Sequence, residues 1–473
     1  MSPVLKRGRQ APQFFSALSG GALLILFIAV VSCVARLLWP IPSREGMEMW
    51  AFARDHVRMY EPIVASWSEE AVDNPDRQPI QLSLISYQPM QRRLLSGFHS
   101  GTPMADLVEV ERNMISHLFA GPLEGVGFVD LTDRIREEGL LEQINAPSFE
   151  PWKKQGRNFG LPHDVHPMML CYRADIIEAA GIDVGEIETW DDFVRLLKPL
   201  QDLDGDGKPD RYLLNLGANN VDLIEALILQ AGGQYFDANN RLVVNSEVTH
   251  RVLATLATWM ADGPARITIE AEEFTASGNQ LKLEGRVLCY MAPDWLAGVW
   301  RNDLPGLKGK VMFMPLPAWT PGGCRTGVWG GTMLGIPRST PDFEAAWAFA
   351  KYLYMSPELA RTLYRETLIV SPVKKFWDEA WYDEPVAFYS DQPIGRLFVE
   401  LAPTVPLRTN SQFNRGVQME IRNVLLNLRD YAEAEQSFEV DELLPEARRL
   451  VVEVEELTRR QMERNVFVRE AAE

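Results

Sequence analysis

Two segments decide the fold, Ile80-Gln-Leu-Ser-Leu-Ile85 and Ala105-Asp-Leu-Val-Glu-Val110. The first alternates apolar and polar residues, which is typical of a half-buried strand, and the second predicts another strand. An earlier strand is predicted at Met47-Glu-Met-Trp-Ala-Phe52, and an amphipathic run from Met59 to Trp67 follows it. Strands and helices that alternate at this spacing indicate a parallel sheet with crossover helices. The sequence therefore predicts an α/β protein.

The same alternation restarts near Gly160. Met168-Met-Leu-Cys-Tyr172 predicts a strand, and Ile176–Ala180 opens a short helix that Gly181 ends. A last helix is predicted from about Pro445 to Met462, where apolar residues recur at helical spacing.

Capping residues predict three further helix starts. Thr189-Trp-Asp-Asp192 has the spacing of a capping box. Thr340-Pro341 and Ser356-Pro357 each place a hydroxyl before a proline, which suits the first turn of a helix.

The net charge and the absence of enzyme motifs argue against two classes of function, nucleic-acid binding and catalysis. The 473-residue chain has 47 Lys and Arg against 65 Asp and Glu, a formal net charge of −18. This acidity argues against a nucleic-acid partner, because neutralising phosphates needs a basic surface. The length predicts two or three domains. The motifs of P-loop NTPases, zinc proteases and serine hydrolases are absent, so we predict a protein that is not an enzyme.

The N-terminal segment, residues 1–45, predicts that the protein is targeted out of the cytoplasm. No charged residue lies between Ala11 and Ala35, and Lys6, Arg7 and Arg9 precede this run. A basic flank and an apolar run are typical of a signal peptide or a signal anchor, and about 20 apolar residues can span a bilayer. Without this segment, which carries +4, residues 46–473 carry −18 − 4 = −22.

Cys33 opens an alternative for the same segment. Val30-Val31-Ser32-Cys33 resembles a bacterial lipoprotein cleavage box, in which a lipid is attached to the cysteine. The sequence leaves three fates open: a retained transmembrane anchor, a lipoprotein, or ordinary cleavage. Each of them places the rest of the chain, residues 46–473, on the extracytoplasmic side of the cytoplasmic membrane.

An acidic loop has the spacing of a calcium site. The segment Asp202-Leu-Asp-Gly-Asp-Gly-Lys-Pro-Asp210 places carboxylates at loop positions 1, 3, 5 and 9, the Lys208 carbonyl at position 7 and Gly207 at the turn. The ligands predicted for Ca²⁺ are Asp202, Asp204, Asp206, Lys208 and Asp210. Position 12, normally a bidentate Glu, is Leu213, so the alternative is a solvated acidic turn. No other cofactor is predicted.

Several Trp residues lie beside Gly or acidic residues instead of inside apolar runs. Asp294-Trp295 and Trp329-Gly330-Gly331 are the main cases. Flat aromatic faces bind the C–H faces of sugar rings, and neighbouring carboxylates accept hydrogen bonds from sugar hydroxyls. These segments therefore predict a saccharide site.

Taken in order, segments over residues 46–465 resemble the extracellular solute-binding proteins of ABC importers, in the sugar-binding branch that includes maltodextrin-binding protein. The matching segments are Ser100–Glu111, Phe128–Asp133, Gly160–Asp164, Tyr172–Asp175, Thr189–Phe193, Gln230–Gly233, Gly285–Leu288, Pro293–Trp295 and Gly330–Pro337.

This resemblance implies a two-lobe periplasmic-binding-protein fold of type II, which closes about a hinge when ligand binds between the lobes. Lobe one is expected at 46–158 and 333–375, and lobe two at 159–332 and 376–470.

The resemblance also implies roles for individual residues. Trp295 is expected to be the platform on which a sugar ring stacks, with Asp294 as its polar neighbour, and Trp329 belongs to the crossover that lines the cleft. The full set of expected ligand-binding residues is Glu111, His163, Asp164, Asp294, Trp295, Trp329, Gly330, Gly331 and Phe413. His163 and His166 replace residues that are commoner in the family, and we interpret them as part of a cleft-lining loop, not as a metal pair.

The leading functional hypothesis is a monomeric extracytoplasmic protein that captures a saccharide and delivers it to an ABC permease. A second hypothesis is a membrane-tethered ligand sensor with the same binding body. A third is an extracytoplasmic carbohydrate-active enzyme that uses an unrecognised pair of carboxylates.

Overall fold

The computed structural model describes residues 19–38, 45–71, 74 and 77–465. It separates into two compact units, Met1–Glu45 and Gly46–Glu473. In the first unit, helix α1 (Gly20–Leu38) contains the apolar run, and Cys33 is exposed on it. The basic residues at 6, 7 and 9 lie outside the described residues. Among the helices that the structure describes, none has the length and apolarity needed to cross a membrane.

The second unit contains thirteen short strands among its described residues. They are β1 (Met47–Ala51), β2 (Ile80–Leu84), β3 (Leu107–Glu111), β4 (Lys153–Lys154), β5 (Arg157–Asn158), β6 (Leu161–Pro162), β7 (Pro167–Arg173), β8 (Tyr212–Asn215), β9 (Thr268–Ile269), β10 (Val287–Pro293), β11 (Val311–Pro315), β12 (Gly327–Val328) and β13 (Thr332–Gly335).

Helices separate most of these strands. They are α2 (Arg54–Glu70), α3 (Tyr87–Ser100), α4 (Arg112–Leu118), α5 (Thr132–Glu137), α6 (Leu140–Gln143), α7 (Ala174–Ile177), α8 (Trp190–Leu197), α9 (Val221–Gln230), α10 (Glu247–Met260), α11 (Ala276–Leu283), α12 (Asp294–Asp303), α13 (Phe343–Tyr354), α14 (Pro357–Thr367), α15 (Ile394–Leu401), α16 (Asn414–Glu435) and α17 (Val440–Arg464).

The first lobe is built on a sheet with the order β2-β1-β3-β13-β6. Strand β1 is parallel to β2 and β3, which confirms the parallel sheet predicted from the first three strands. Strand β13 then joins antiparallel to β3 and β6. Helices α2 and α13 cover this sheet, and their apolar faces share one core with it.

The second lobe is built on a sheet with the order β11-β7-β10-β8-β9, and β12 also pairs with β7. All seven residues of β7 are buried, as expected for a continuous apolar strand that is covered on both faces. Helices α9, α10, α16 and α17 pack together on this side in the largest core cluster. The fold is therefore two-lobed α/β; the exact lobe boundaries stay a prediction.

The chain passes between the sheets at two short connections. It leaves the first sheet after β6 and enters β7 through residues 163–166, and it returns through residues 329–331 between β12 and β13. A third connection begins in the last turns of α14, where residues from 363 to 373 enter both cores. Leu363, Ile369 and Val373 join the first-lobe core, whereas Tyr364, Leu368 and Val370 join the second.

Two of the three predicted helix caps are confirmed. Thr189 and Asp192 form a complete capping box at the start of α8, and the Ser356 hydroxyl accepts from the Leu359 amide at the start of α14. The Thr340 prediction is wrong by two residues. Asp342 caps α13 instead, and the Thr340 hydroxyl donates to the Asp106 carbonyl at 3.0 Å.

Gly298 allows α12 to approach α14, and its replacement tests this packing. A Cβ at this position would lie 2.0 Å from the Thr367 carbonyl oxygen, a backbone atom that cannot move aside cheaply. We expect Gly298→Ala to lower the free energy of unfolding by about 1–3 kcal/mol in a urea titration.

Gly416→Ala is the matched control, since a Cβ at Gly416, also inside a helix, meets nothing within 4 Å. It should leave the protein equally stable or slightly more stable. Equal stability of the two variants would contradict the close contact between α12 and α14.

Candidate ligand-binding site

A buried histidine between two carboxylates occupies the first connection between the lobes. His166 Nε2 lies 3.1 Å from Asp164 Oδ2, and His166 Nδ1 lies 2.6 Å from Asp294 Oδ1. Burial alone would lower the pKa of His166, but the two carboxylates outweigh it and raise the pKa to about 10. His166 is therefore an imidazolium at neutral pH.

The two carboxylates reach backbone amides on all sides of the junction. Asp294, fully buried at the first position of α12, accepts from the amides of Trp295 at 2.7 Å and Val370 at 2.8 Å. Asp164 accepts from the Thr332 amide and lies 3.0 Å from His163 Nδ1. The predicted residues His163, Asp164 and Asp294 are thus brought together, in the interior of the junction. Their predicted contact with ligand stays a prediction.

Glu109 extends this network into the first lobe. It is completely buried in β3, and it accepts from the hydroxyls of Tyr60 and Tyr354, with His56 Nδ1 3.1 Å away. Burial would raise the pKa of Glu109, but His56, His163 and the Tyr60 hydrogen bond together lower it below its ordinary value. Strand β3 holds two acidic residues, and of these Glu109 is the one flanked on both sides by valine, inside the strand, whereas Glu111 ends it.

Three aromatic rings, Phe274, Trp295 and Trp329, form what we call the aromatic cluster. Trp295 is half-buried and packs against core clusters of both lobes. Its Nε1 donates to the Trp329 carbonyl at 2.9 Å, and the two rings meet edge to face with centroids 5.3 Å apart. Phe274 is 67% exposed and nearly parallel to Trp295, with a centroid distance of 6.3 Å.

Gly330 and Gly331 hold the return connection against this cluster. Both have positive φ angles, 111° and 134°, which disfavour any residue with a side chain. A Cβ on Gly330 would lie 2.7 Å from His166 and 3.0 Å from the Trp295 Nε1. The Gly331 carbonyl accepts from the Arg112 amide at 3.0 Å. The two glycines thus allow both Trp295 and Arg112 to contact the same stretch of backbone, residues 329–331.

Polar side chains from both lobes meet beyond Gly331. Arg112 Nη2 lies 2.9 Å from Asp222 Oδ1 on α9, and both residues are nearly buried. Arg408 pairs with the same Asp222 at 3.3 Å and with Glu225. Gln418 Nε2 donates to Glu225 at 2.7 Å. An ion pair therefore connects the first lobe to the second.

A small cavity, here called the interlobe pocket, opens beside these residues. Its lining residues are Arg112, Asn113, Ser116, Pro151, Arg408, Thr409, Asn410, Asn414, Arg415 and Gln418. The predicted Glu111 borders it, since its carboxylate accepts from the Asn113 amide at 2.8 Å. Burial and nearby Asp222 raise the pKa of Glu111 to about 7, although Arg112 opposes the shift. The predicted Phe413 precedes α16 and packs against the second-lobe core.

The structure adds residues that the sequence did not single out. Arg112 and Asp222 come from helix starts 110 positions apart in the chain, and Arg408 follows an irregular segment. Only Arg112 had a local signal, because it directly follows Glu111 at the end of a predicted strand. The left-handed backbone of Phe274 (φ 63°) is likewise invisible in the sequence.

The acidic loop brings three of its predicted ligands together. Carboxylate oxygens of Asp202, Asp204 and Asp210 lie within 4.8 Å of one another. The Asp206 carboxylate accepts from the Lys208 amide at 2.8 Å. Position 12, Leu213, is buried in β8 and offers no oxygen side chain. Three hard oxygen ligands suit Ca²⁺, so the fit is partial and the calcium site stays a prediction.

Two α/β lobes with a polar and aromatic site between them define the class of two-lobed solute-binding proteins. A model of the bacterial extracellular solute-binding protein family matches residues 78–357, more than half of the chain. The chain belongs to this family.

Individual relatives agree with this assignment. The chain is 26% identical to the arabinooligosaccharide-binding protein of Halalkalibacterium halodurans over 383 residues, 80% of this chain and 83% of the relative. It is also 26% identical to the Bacillus subtilis protein of the same name over 365 residues, 75% of this chain and 79% of that one. The sugar-binding protein MalE from Xanthomonas citri shares the fold, with a TM-score of 0.68 at 16% identity over 88% of this chain and 99% of its own.

The charge on His166 makes stability depend on pH. Its folded pKa of about 10 lies above the unfolded value of about 6.5, so its contribution is complete below pH 6.5 and is lost as the pH rises toward 10. We expect the stability advantage of the wild type over His166→Asn to shrink across this interval, by at most about 1.4 kcal/mol per pH unit. Urea titrations at several pH values measure it. His166 has a left-handed backbone (φ 54°), which Asn tolerates. A constant difference would show that His166 is neutral.

Calcium binding is tested by thermal melting with the ion and with a chelator. A weak extracellular-type site at millimolar calcium should stabilise the protein by roughly 1–3 kcal/mol. Asp204→Asn should remove this gain, whereas magnesium at the same concentration should not reproduce it. Identical midpoints in calcium and chelator would leave the loop as a solvated turn.

Proposed function

We propose that this protein captures a saccharide between its lobes, outside the cytoplasm, and delivers it to the permease of an ABC importer. The observation that carries the proposal is the aromatic cluster at the lobe junction, next to a pocket of hydrogen-bonding side chains from both lobes. Apolar ring faces beside convergent polar groups are the usual composition of a sugar site. The extracytoplasmic location rests on the family, and attachment to the membrane through the N-terminal segment or Cys33 is part of the proposal.

The two relatives bear the name arabinooligosaccharide-binding protein, and oligosaccharides are therefore the first ligands to test. Capture needs no covalent step, because the lobes can enclose a ligand by movement at the connections between the sheets. Incubating the protein with arabinotriose and analysing the sugar by chromatography should return it unchanged. Shortened products would favour a carbohydrate-active enzyme instead.

Trp295→Ala tests the aromatic platform. Loss of the ring removes the apolar face on which a sugar would stack, and we expect affinity to fall at least about tenfold, or ~1.4 kcal/mol. Isothermal titration calorimetry with the sugar that a thermal-shift screen of oligosaccharides selects would measure the change.

Trp319→Ala is the matched control, since Trp319 is a half-buried indole that stacks on Trp259 within the second-lobe core. Its replacement should lower stability and leave affinity within about twofold of the wild type. Unchanged affinity in Trp295→Ala, in a protein that folds, would place the sugar elsewhere.

A further inference from the structure

The interlobe pocket is lined by cationic groups and by none that is anionic among its lining residues. Arg112 reaches it from the first lobe, and Arg408 and Arg415 from the second. The other lining residues carry amides, hydroxyls or a proline ring. A guanidinium fork fits a carboxylate with two parallel hydrogen bonds.

The carboxylates behind the pocket do not neutralise all three guanidinium groups. Asp222 and Glu225 pair with Arg112 and Arg408. Arg415 donates to the Gln418 amide oxygen at 3.1 Å, and no carboxylate lies within ion-pairing distance of it in the described part of the chain. Glu111, at the border, is only partly ionised at neutral pH because burial raises its pKa to about 7.

Arg112 also has an unused donor. Its side chain is only 7% exposed, and among the described residues its buried Nε has no hydrogen-bond partner. A buried guanidinium N–H without an acceptor is costly, by about 1–3 kcal/mol or more for a charged group. This Nε is shielded from solvent, so a ligand oxygen would meet it only after a small movement of the Arg112 side chain.

Helix α16 adds to the positive potential at the same place. Its first two residues, Asn414 and Arg415, line the pocket, and the preceding Phe413 gives no side-chain cap to the amides of the first turn. The Asn414 amide donates to the Ser411 carbonyl at 3.0 Å, and the positive end of the dipole of this 22-residue helix favours a negative group. The pocket is narrow, which suits a small polar group and not a sugar ring.

We infer that the saccharide carries a carboxylate, as in a uronic acid, and that Arg112, Arg408 and Arg415 bind this group in the interlobe pocket. The inference rests on the proposed function and specifies its ligand: the sugar ring lies on the aromatic cluster, and the carboxylate lies across Gly330 and Gly331. A protein of net charge −18 repels anions at long range, so recognition of an acidic sugar requires such a local cationic site.

The test compares uronate oligosaccharides with their carboxyl-reduced counterparts, which have the same linkages and ring stereochemistry but no charge. Trimers of galacturonate, glucuronate and mannuronate form the panel, together with the neutral sugars of the screen. By calorimetry, the preferred uronate should bind at least about tenfold tighter than its reduced form. Added sodium chloride should lower the affinity for the acidic ligand and leave the affinity for the neutral ligand nearly unchanged.

Arg415→Gln separates the charge from the rest of the site. This side chain is exposed, so the variant should fold normally, and we expect about a tenfold loss of affinity for the uronate with less than a threefold change for its reduced form. Arg429→Gln is the control, because it removes the same charge from α16, where Arg429 pairs with Asp430 away from the pocket. It should bind both ligands as the wild type does.

The outcomes distinguish this inference from the proposed function. Tighter binding of a reduced or neutral sugar would overturn the inference that the ligand carries a carboxylate. An equal loss of affinity for both ligands in Arg415→Gln would do the same. Neither result would contradict saccharide capture. Binding of no saccharide of either kind would overturn both.

Discussion

The imidazolium of His166 is the constraint on which the junction between the lobes depends. Its two carboxylate partners reach every connection between the sheets: Asp164 lies in the first and accepts from Thr332 beyond the second, and Asp294 accepts from Val370 in the third. A buried charge is stable only when it is paired and its partners are fully hydrogen-bonded, and both carboxylates meet this condition. Movement at any one connection therefore disturbs the bonds of the other two.

The proposed ligand site takes its geometry from this junction. Asp294 fixes the first turn of α12, and the next residue on that turn is Trp295. His166 packs against Gly330, so the backbone that passes Trp295 and continues to Arg112 is held by the same ion pairs. The aromatic and polar halves of the site are thus positioned by buried groups that need not touch a ligand, a division between support and contact that keeps a site rigid.

The sequence was informative where structure is local. Alternation in 80–85, the apolar run of β7 and the Thr189 capping box predicted elements that the structure contains, because period and caps act over a few residues. The ordered family motifs led to the two-lobe fold and to Trp295 at the junction. Asp222 and Arg408 could not be found this way, because each acquires its role only when α9 and the segment before α16 meet Arg112 from the other lobe. The predicted cap of α13 was wrong for a related reason, because the Thr340 hydroxyl makes a tertiary hydrogen bond to the Asp106 carbonyl instead.

The pair of Arg112 and Asp222 has a consequence for how ligand and lobes interact. A buried pair of this kind loses much of its Coulomb energy to desolvation, so it holds the lobes together only weakly. A ligand favours the joined arrangement only to the extent that it binds that arrangement more tightly than the separated one. An anionic group that contacts guanidinium groups of both lobes has this property, because separation would leave it with only part of its partners. A neutral sugar on the aromatic cluster, whose main ring Trp295 already packs against both lobe cores, would bias the lobes less. The charge of the ligand would therefore bear on lobe closure as well as on affinity.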